Sequence, residues 1–183
     1  MCFSLRKSIF EANLFEILDE GTVVEEIIIS FQIRKIPPSF HSLEEIHKWL
    51  VEVEKKIALQ SAYGSISLKN HSSQGLRKKL ERKGFSSDVC DEIINKFLDL
   101  GFLKDHEFIQ ALIEKELRAC YGPRYIEAKL RSQGLPVTQV REIITTERQR
   151  IAIEKLLKKK SKNQRAILQR RGFDFACIQS MIQ

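Results

Sequence analysis

LRKKLERKGFSSDVCDEII, residues 76–94, is the stretch whose reading decides the fold, because the same pattern returns twice further along the chain. It recurs as IEAKLRSQGLPVTQVREII at 126–144 and as QRAILQRRGFDFACIQSMI at 164–182. Self-similarity of this kind is the signature of stacked supersecondary units. Aligned, the copies superpose Leu80, Leu130 and Leu168, then Gly84, Gly134 and Gly172 four residues on, then Phe85, Leu135 and Phe173. The apolar pairs Ile93-Ile94, Ile143-Ile144 and Met181-Ile182 close each copy.

Each copy has a direct physical reading. Leu76 and Leu80, or Ile126 and Leu130, stand four apart on one face of a short helix whose other face is charged. The glycine follows the last turn, where a left-handed residue is commonly required and a Cβ is penalised. The apolar residue after it can fold back on the helix it ends. Ser86, Pro136 and Asp174 then suit the start of a second helix, by capping or by the preset φ of proline. Asp105 to about Tyr121, and Arg148 to Lys160, supply lead helices for the second and third copies. In the first of these Phe108, Ala111, Leu112, Lys115 and Leu117 are expected near the inner stripe; in the second, Ile151, Ile153, Leu156 and Leu157. Each unit is then a lead helix, a leucine-glycine helix and an Ile-Ile helix.

Upstream, residues 8–18 and 23–36 flank Asp19-Glu20-Gly21-Thr22, a turn-forming cluster. In the second run Val23, Ile27, Ile29, Phe31 and Ile33 share one face, and this period of two with β-branched residues predicts a strand. A β-hairpin is expected, ended by Pro37-Pro38. Ser42 and Glu45 match a capping box ahead of a helix with Ile46, Leu50, Val53 and Ile57 inward and Trp49 over the hairpin. Gly64 leaves the length of that helix open. Ser72 is placed to cap the first leucine-glycine helix.

The fold expected is therefore mainly α: tandem three-helix repeats in an elongated curved array, with a small N-terminal β-hairpin and helix. The boundaries fall at residues 1–54 for the hairpin plus helix, then 55–104, 105–147 and 148–183 for the repeats. In 183 residues, 43% hydrophobic and 30% charged, the composition is that of a helix-rich globular chain rather than a disordered one. No apolar run approaches the ~20 residues of a membrane span. The start MCFSLRK has no apolar core or small-residue cleavage site, so no secretion leader is expected. Cys2, Cys90, Cys120 and Cys177 are scattered without paired spacing, which fits reduced thiols in a cytoplasmic protein.

Charge divides the chain. Residues 1–54 hold 5 Lys+Arg against 10 Asp+Glu, net −5, and residues 55–183 hold 26 against 14, net +12. Such asymmetry predicts that the repeats meet something acidic.

Together these residues resemble the RecX family of recombination regulators, small bacterial proteins that act on the RecA recombinase. The resemblance covers roughly residues 55–183. It rests on Asp105, Phe108, Ala111, Arg118, Gly122, Pro123, Ile126, Leu130 and Gly134 in the middle repeat. The first repeat contributes Ala62, Lys69, Ser72, Leu76, Lys79, Leu80, Lys83 and Gly84, and the last Leu168, Arg171, Gly172 and Phe173. One departure stands out: Glu107, Gln110 and Glu114 occupy positions on the middle lead helix where the family usually carries arginine. The resemblance implies a non-enzymatic protein, without cofactor, that lies along the RecA–DNA filament and usually inhibits its growth, ATP hydrolysis and strand exchange in recombination and DNA repair. The partners implied are the RecA filament and single-stranded DNA, with weak duplex binding and no membrane; a monomer is expected.

The residues are compatible with that role. Basic side chains recur on the leucine-glycine helices: Arg77, Lys78, Lys79, Arg82 and Lys83; then Arg124, Lys129 and Arg131; then Arg165, Arg170 and Arg171. Arg118 belongs to the middle lead helix, and Lys155, Lys158, Lys159, Lys160 and Lys162 cluster before the last copy. Cations that neutralise phosphates release counterions, so affinity falls steeply with salt. Catalytic patterns are missing from the sequence: His41, His47, His71 and His106 share no ligand spacing with Cys or carboxylates, and no phosphate loop or nucleophile elbow occurs. Two alternatives stand beside filament regulation. A helix-turn-helix-like protein acting directly on DNA would need exposed Arg, Asn or Gln on its reading helix. A scaffold with a protein partner alone would bind with little salt dependence.

Overall fold

The computed structural model describes residues 3–9, 11, 13–29, 31, 33, 35–158 and 163–182. The chain forms two compact units, Met1–Leu103 and Lys104–Gln183.

The first unit opens with a three-stranded antiparallel sheet: β1 (Phe3–Lys7), β2 (Leu14–Asp19) and β3 (Thr22–Ile28), in the order β1-β2-β3. The expected hairpin is thus one strand short. Phe3 and Leu5 alternate inward as a strand requires, and the run at 8–18 contains a turn before β2 begins. The predicted 23–36 strand ends at Ile28. Beyond it Ile29 is buried with the sheet, and Phe31 stacks on Phe85 of the first repeat, ring centroids 5.9 Å apart.

α1 (Leu43–Leu68) covers the sheet with Ile46 and Leu50, and Trp49 packs beside Phe40. Ser42 Oγ accepts from Glu45 N at 3.1 Å, while Glu45 Oε2 reaches back to His41 N at 2.6 Å, one residue earlier than the usual reciprocal bond. The helix runs through Gly64 without a break. Its later turns bury Ala58 and Ala62 against the first repeat, so residues 54 and 55, where a boundary was expected, both lie inside a helix shared by sheet and repeat.

α2 (Ser73–Glu81) and α3 (Ser87–Asp99) complete that repeat. Ser72 Oγ accepts from Gly75 N at 3.1 Å and is itself buried. The second unit is α4 (Asp105–Arg118), α5 (Pro123–Ser132) and α6 (Thr138–Ile143), followed by α7 (Thr146–Leu157), α8 (Gln164–Arg170) and α9 (Phe175–Met181).

The three glycines share one local geometry. Gly84, Gly134 and Gly172 have φ of 85°, 76° and 78°. At each, the following residue donates to the carbonyl of the aligned leucine: Phe85 to Leu80, Leu135 to Leu130, Phe173 to Leu168. The glycine amide donates three residues back, to Glu81, Arg131 and Gln169. These are Schellman stops. The aligned leucines and the apolar residues after the glycines are all buried. Six residues past each glycine lies a third equivalent core position, Cys90, Val140 and Ile178, each fully buried. The Ile-Ile pairs sit farther out in the later copies, where Ile143, Met181 and Ile182 are only partly covered.

Several local expectations are corrected. On α4 the buried row is Ile109, Ile113 and Leu117, the four-residue spacing that faces α5 and α6, with Glu116 beside it; Ala111 and Lys115 are exposed. Ile151 on α7 is exposed, because the inner side is taken by Gln149, Ala152 and Ile153. Ser86 and Asp174 hold the N-cap positions of α3 and α9 but make no side-chain cap bond, and the α6 cap is Val137, one residue after Pro136.

Candidate nucleic-acid and protein interface

The basic residues singled out from sequence fall into two groups once their neighbours are known. One group is consumed within the fold. Arg77 bridges Glu81 at 3.0 Å and Asp91 at 3.2 Å, tying α2 to α3. Lys129 pairs with the buried Glu116 at 2.8 Å, an attachment that holds the Lys129 ammonium above its ordinary pKa. Arg131 lies 3.6 Å from Glu127, and Arg124 lies 3.6 Å from Asp174. Arg171 donates to the carbonyls of Ala119 and Cys120 at 2.7 and 3.2 Å, and its guanidinium lies over Tyr121. It closes the C-terminus of α4, where the helix dipole favours a cation.

Two further arginines join this internal network although the sequence reading passed over them. Arg141 bridges Glu127 at 2.6 Å and Asp174 at 2.8 Å, and Arg148 bridges Glu114 at 2.7 Å. Their partners lie 14 to 34 residues away, so no local spacing announces them. The Glu114 carboxyl is held below its ordinary range by the hydrogen bond from Arg148. This gives the acidic departure on the middle lead helix a use: Glu114 fastens α4 to α7.

The other group makes no salt bridge to a carboxylate among the described residues, although the charge of Arg118 helps to lower the Glu114 carboxyl. On α2 and its C-terminus, Leu76 and Leu80 face the core, leaving Lys78, Lys79, Arg82 and Lys83 on the remaining faces. Arg82 Nε donates to Lys78 O, and Lys83 Nζ donates to Ser61 Oγ, both neutral acceptors. The local field is positive: burial, and then the charges of Lys69 and Lys79, push the His71 imidazole below its ordinary pKa. In the last repeat, Lys155 and Lys158 at the end of α7 and Arg170 on α8 are exposed, and Arg165 lies over the exposed Phe175 ring at 5.6 Å. Arg118 donates to the Glu114 carbonyl. Lys159, Lys160 and Lys162 lie outside the described residues.

The unpaired cations therefore concentrate on α2 in the first unit and on the α7–α8 segment in the second. In the middle repeat Arg124, Lys129, Arg131 and Arg141 hold the structure together instead. Desolvating a phosphate against a free ammonium or guanidinium releases counterions, whereas an arginine already bound to a carboxylate must first give that partner up.

Chemical sites are sparse. Among the described residues no group of three His, Cys, Asp or Glu side chains is arranged to hold a metal ion. Cys90 and Cys177 are buried free thiols, pushed up in pKa chiefly by that burial, and Cys120 is a partly covered free thiol; Cys2 lies outside the described residues. No described helix is long and apolar enough to cross a membrane.

Comparison with known proteins agrees with this architecture. Residues 58–97, comprising the end of α1, α2 and most of α3, match the first three-helix domain of RecX. The chain is similar to "Regulatory protein RecX" of Photobacterium profundum, 30% identical over 81 residues, and to that of Pelodictyon phaeoclathratiforme, 31% identical over 88. These matches cover 44% and 48% of this chain but 30% and 55% of the relatives. The Listeria monocytogenes protein of the same name aligns over 160 residues at 28% identity, 82% of this chain and 58% of its own length. The chain thus spans only part of the curated relatives it matches. The crystal structure of RecX from Lactobacillus salivarius shares the fold at a TM-score of 0.65 and 20% identity, over 72% of this chain and 96% of that one. A second RecX crystal structure does so at 0.63 and 14%, over 98% of both. Over residues 58–97 the chain is thus similar to the first three-helix domain of RecX, and its fold is that of the solved RecX structures.

Proposed function

We propose that this chain is a non-enzymatic regulator of the RecA recombinase, acting in recombination and DNA repair, that binds the RecA–DNA filament and restrains its growth, ATP hydrolysis and strand exchange. The observation that carries the reading is on α2. The helix at the centre of the matched RecX domain displays Lys78, Lys79, Arg82 and Lys83 without a carboxylate to neutralise them. A cation left unpaired beside a folded core costs nothing in desolvation while it is hydrated and gains most when an anionic partner arrives. The α7–α8 cations supply a second contact of the same chemistry. Single-stranded DNA is engaged as part of the filament, and the protein works as a monomer in the cytoplasm.

Direct reading of duplex DNA by a helix-turn-helix pair is the weaker account. α3 would be the reading helix, and its exposed positions include Asp88, Asp91 and Glu92, which repel phosphates and suit few base edges.

ATP hydrolysis by RecA on single-stranded DNA tests the proposal. Titrating in this protein at low salt lowers the steady-state rate, and the effect weakens as salt rises. A rate unchanged across the titration, with both proteins active, refutes restraint of the filament.

A further inference from the structure

Filament binding by the repeats makes no use of the outer edge of the N-terminal sheet. β1, at one edge, is partly closed by Phe40, which exchanges backbone hydrogen bonds with Phe3 at 2.9 and 2.7 Å. β3, at the other, has no strand beside it among the described residues. Which of its backbone groups face outward follows from the ladder. Ile29 N donates to Asn13 O at 2.8 Å. With Ile28 opposite Leu14, Ile27 opposite Phe15 and Glu26 opposite Glu16, the amides of Ile27 and Glu25 turn toward β2. Those of Glu26 and Ile28 turn away, and neither finds a partner among the described residues.

Exposed edges in natural sheets are ordinarily blunted by lysine, proline or a bulge. β3 has neither lysine nor proline, and its one bulge sits at Val24, where Ile17 faces Glu25 and Leu18 faces Val23. From residue 25 to residue 29 the edge is regular. Ile28 is 73% exposed, an apolar side chain that the fold leaves in water.

Charge selects the occupant. Arg6, Glu16 and Glu26 are successive cross-strand neighbours on one face of the sheet. Arg6 pairs with Glu16, which leaves Glu26 exposed, opposite another carboxylate and without a cation among the described residues. Like charges placed opposite one another destabilise a sheet. A cation on a fourth strand, opposite Glu26, would relieve that. A second copy of β3 cannot provide one, because TVVEEII contains no basic residue.

We propose that the outer edge of β3 captures an extended segment of a partner protein by strand addition, reading a lysine or arginine opposite Glu26 and an apolar residue two places along, opposite Ile28. The backbone groups of Glu26 and Ile28 supply the pairing, and the two side chains supply the selection. Strand addition at this edge uses none of the cations of α2 and α7–α8, so this proposal and the filament reading can fail independently.

Fluorescence anisotropy with the full chain provides the test. The probe is a short labelled peptide with a central lysine, valines two places to either side and threonines between. Saturable binding is expected. Ile28→Pro, which removes an outward amide without touching the β2 ladder, weakens it by about tenfold, the worth of one or two net backbone hydrogen bonds. The same loss is expected with unaltered protein when the peptide is N-methylated at alternate residues, so the result does not depend on how well the proline variant folds. Glu26→Lys abolishes binding of the lysine peptide and creates binding of its glutamate counterpart. No binding by the unaltered chain, or binding that survives both N-methylation and Glu26→Lys, overturns the proposal. So does reversible dimerisation of the unliganded chain that Ile28→Pro abolishes, since it gives the edge to a second copy.

Discussion

At residue scale, two glycines in opposite circumstances show how much a single Cβ decides. A Cβ on Gly172 would come within 2.4 Å of the Tyr125 amide, on a backbone already at φ 78°. One on Gly64 meets nothing within 4 Å, inside the last two turns of α1. Gly172→Ala is therefore expected to destabilise by more than ~2 kcal/mol, from left-handed strain and displaced backbone together. Gly64→Ala is expected to stabilise by ~0.5–1 kcal/mol through the chain entropy it removes. Calorimetric midpoints of the two variants should move in opposite directions. Asp174 offers a test in pH. Burial raises its pKa, but hydrogen bonds from Gln149 and Arg141 and the charges of Arg141 and Arg124 outweigh that and leave it below the ordinary range. A depressed carboxyl contributes stability above its unfolded pKa and loses it as pH falls through the folded value. Asp174→Asn should thus lower stability at neutral pH and flatten the acid limb of the stability profile. A profile parallel to that of the parent would show that Asp174 is not the group responsible. The positive φ of the repeat glycines was legible in the sequence, because leucine, three residues, glycine and an apolar residue spell a helix stop. The roles of Gly122 and Asp174 were not. Gly122 N donates to Arg171 O at 2.7 Å, and a Cβ on it would strike the Phe173 amide. That approach of two turns from different repeats leaves no trace in the local pattern.

At the scale of elements, sequence reading succeeded where one signal repeated and failed where signals were short or competing. The lead, leucine-glycine and Ile-Ile helices recur as α4 to α6 and α7 to α9, and α1 to α3 provide the first set. β1 escaped because its five residues carry only Phe3 and Leu5 as inward apolar positions. The helix whose length Gly64 left open runs on to Leu68, since burial of Ala58, Ala62 and neighbouring turns outweighs the ~1 kcal/mol a helical glycine costs. The inner face of α4 was assigned about one residue out of phase, an error that Phe108 and Leu112, partly buried beside the true row, invite. The caps are testable at this scale. Ser72→Ala removes the acceptor for Gly75 N and buries that amide without a partner, so a loss of ~1 kcal/mol is expected in denaturant unfolding. An unchanged midpoint would mean that α2 starts without need of its cap.

For the whole molecule, composition located the positive charge but could not say which cations were free. Net +12 over residues 55–183 includes Arg77, Arg124, Lys129, Arg131 and Arg171, all engaged within the fold, while Lys78, Lys79, Arg82 and Lys83 at α2 and the exposed cations of the α7–α8 segment stay available. Arg131 with Glu127 and Arg77 with Glu81 stand at the local i,i+4 spacing, but the distant partners of Arg124, Lys129 and Arg171 could be seen only in three dimensions. The division makes a paired prediction. Lys78→Ala with Arg82→Ala should weaken filament binding and reduce the magnitude of its salt slope by ~1.4, two contacts at the single-strand value. Arg124→Ala with Lys129→Ala should cost stability and leave affinity per folded molecule close to that of the parent. The reverse pattern would move the interface to the middle repeat. Recognition of the filament rather than of DNA by itself is the central proposal, and affinity for RecA-coated single-stranded DNA against the same DNA left bare measures that directly. Tighter binding to the coated strand, lowered by Lys78→Ala with Arg82→Ala, is the result predicted; equal or tighter binding to the bare strand would contradict it.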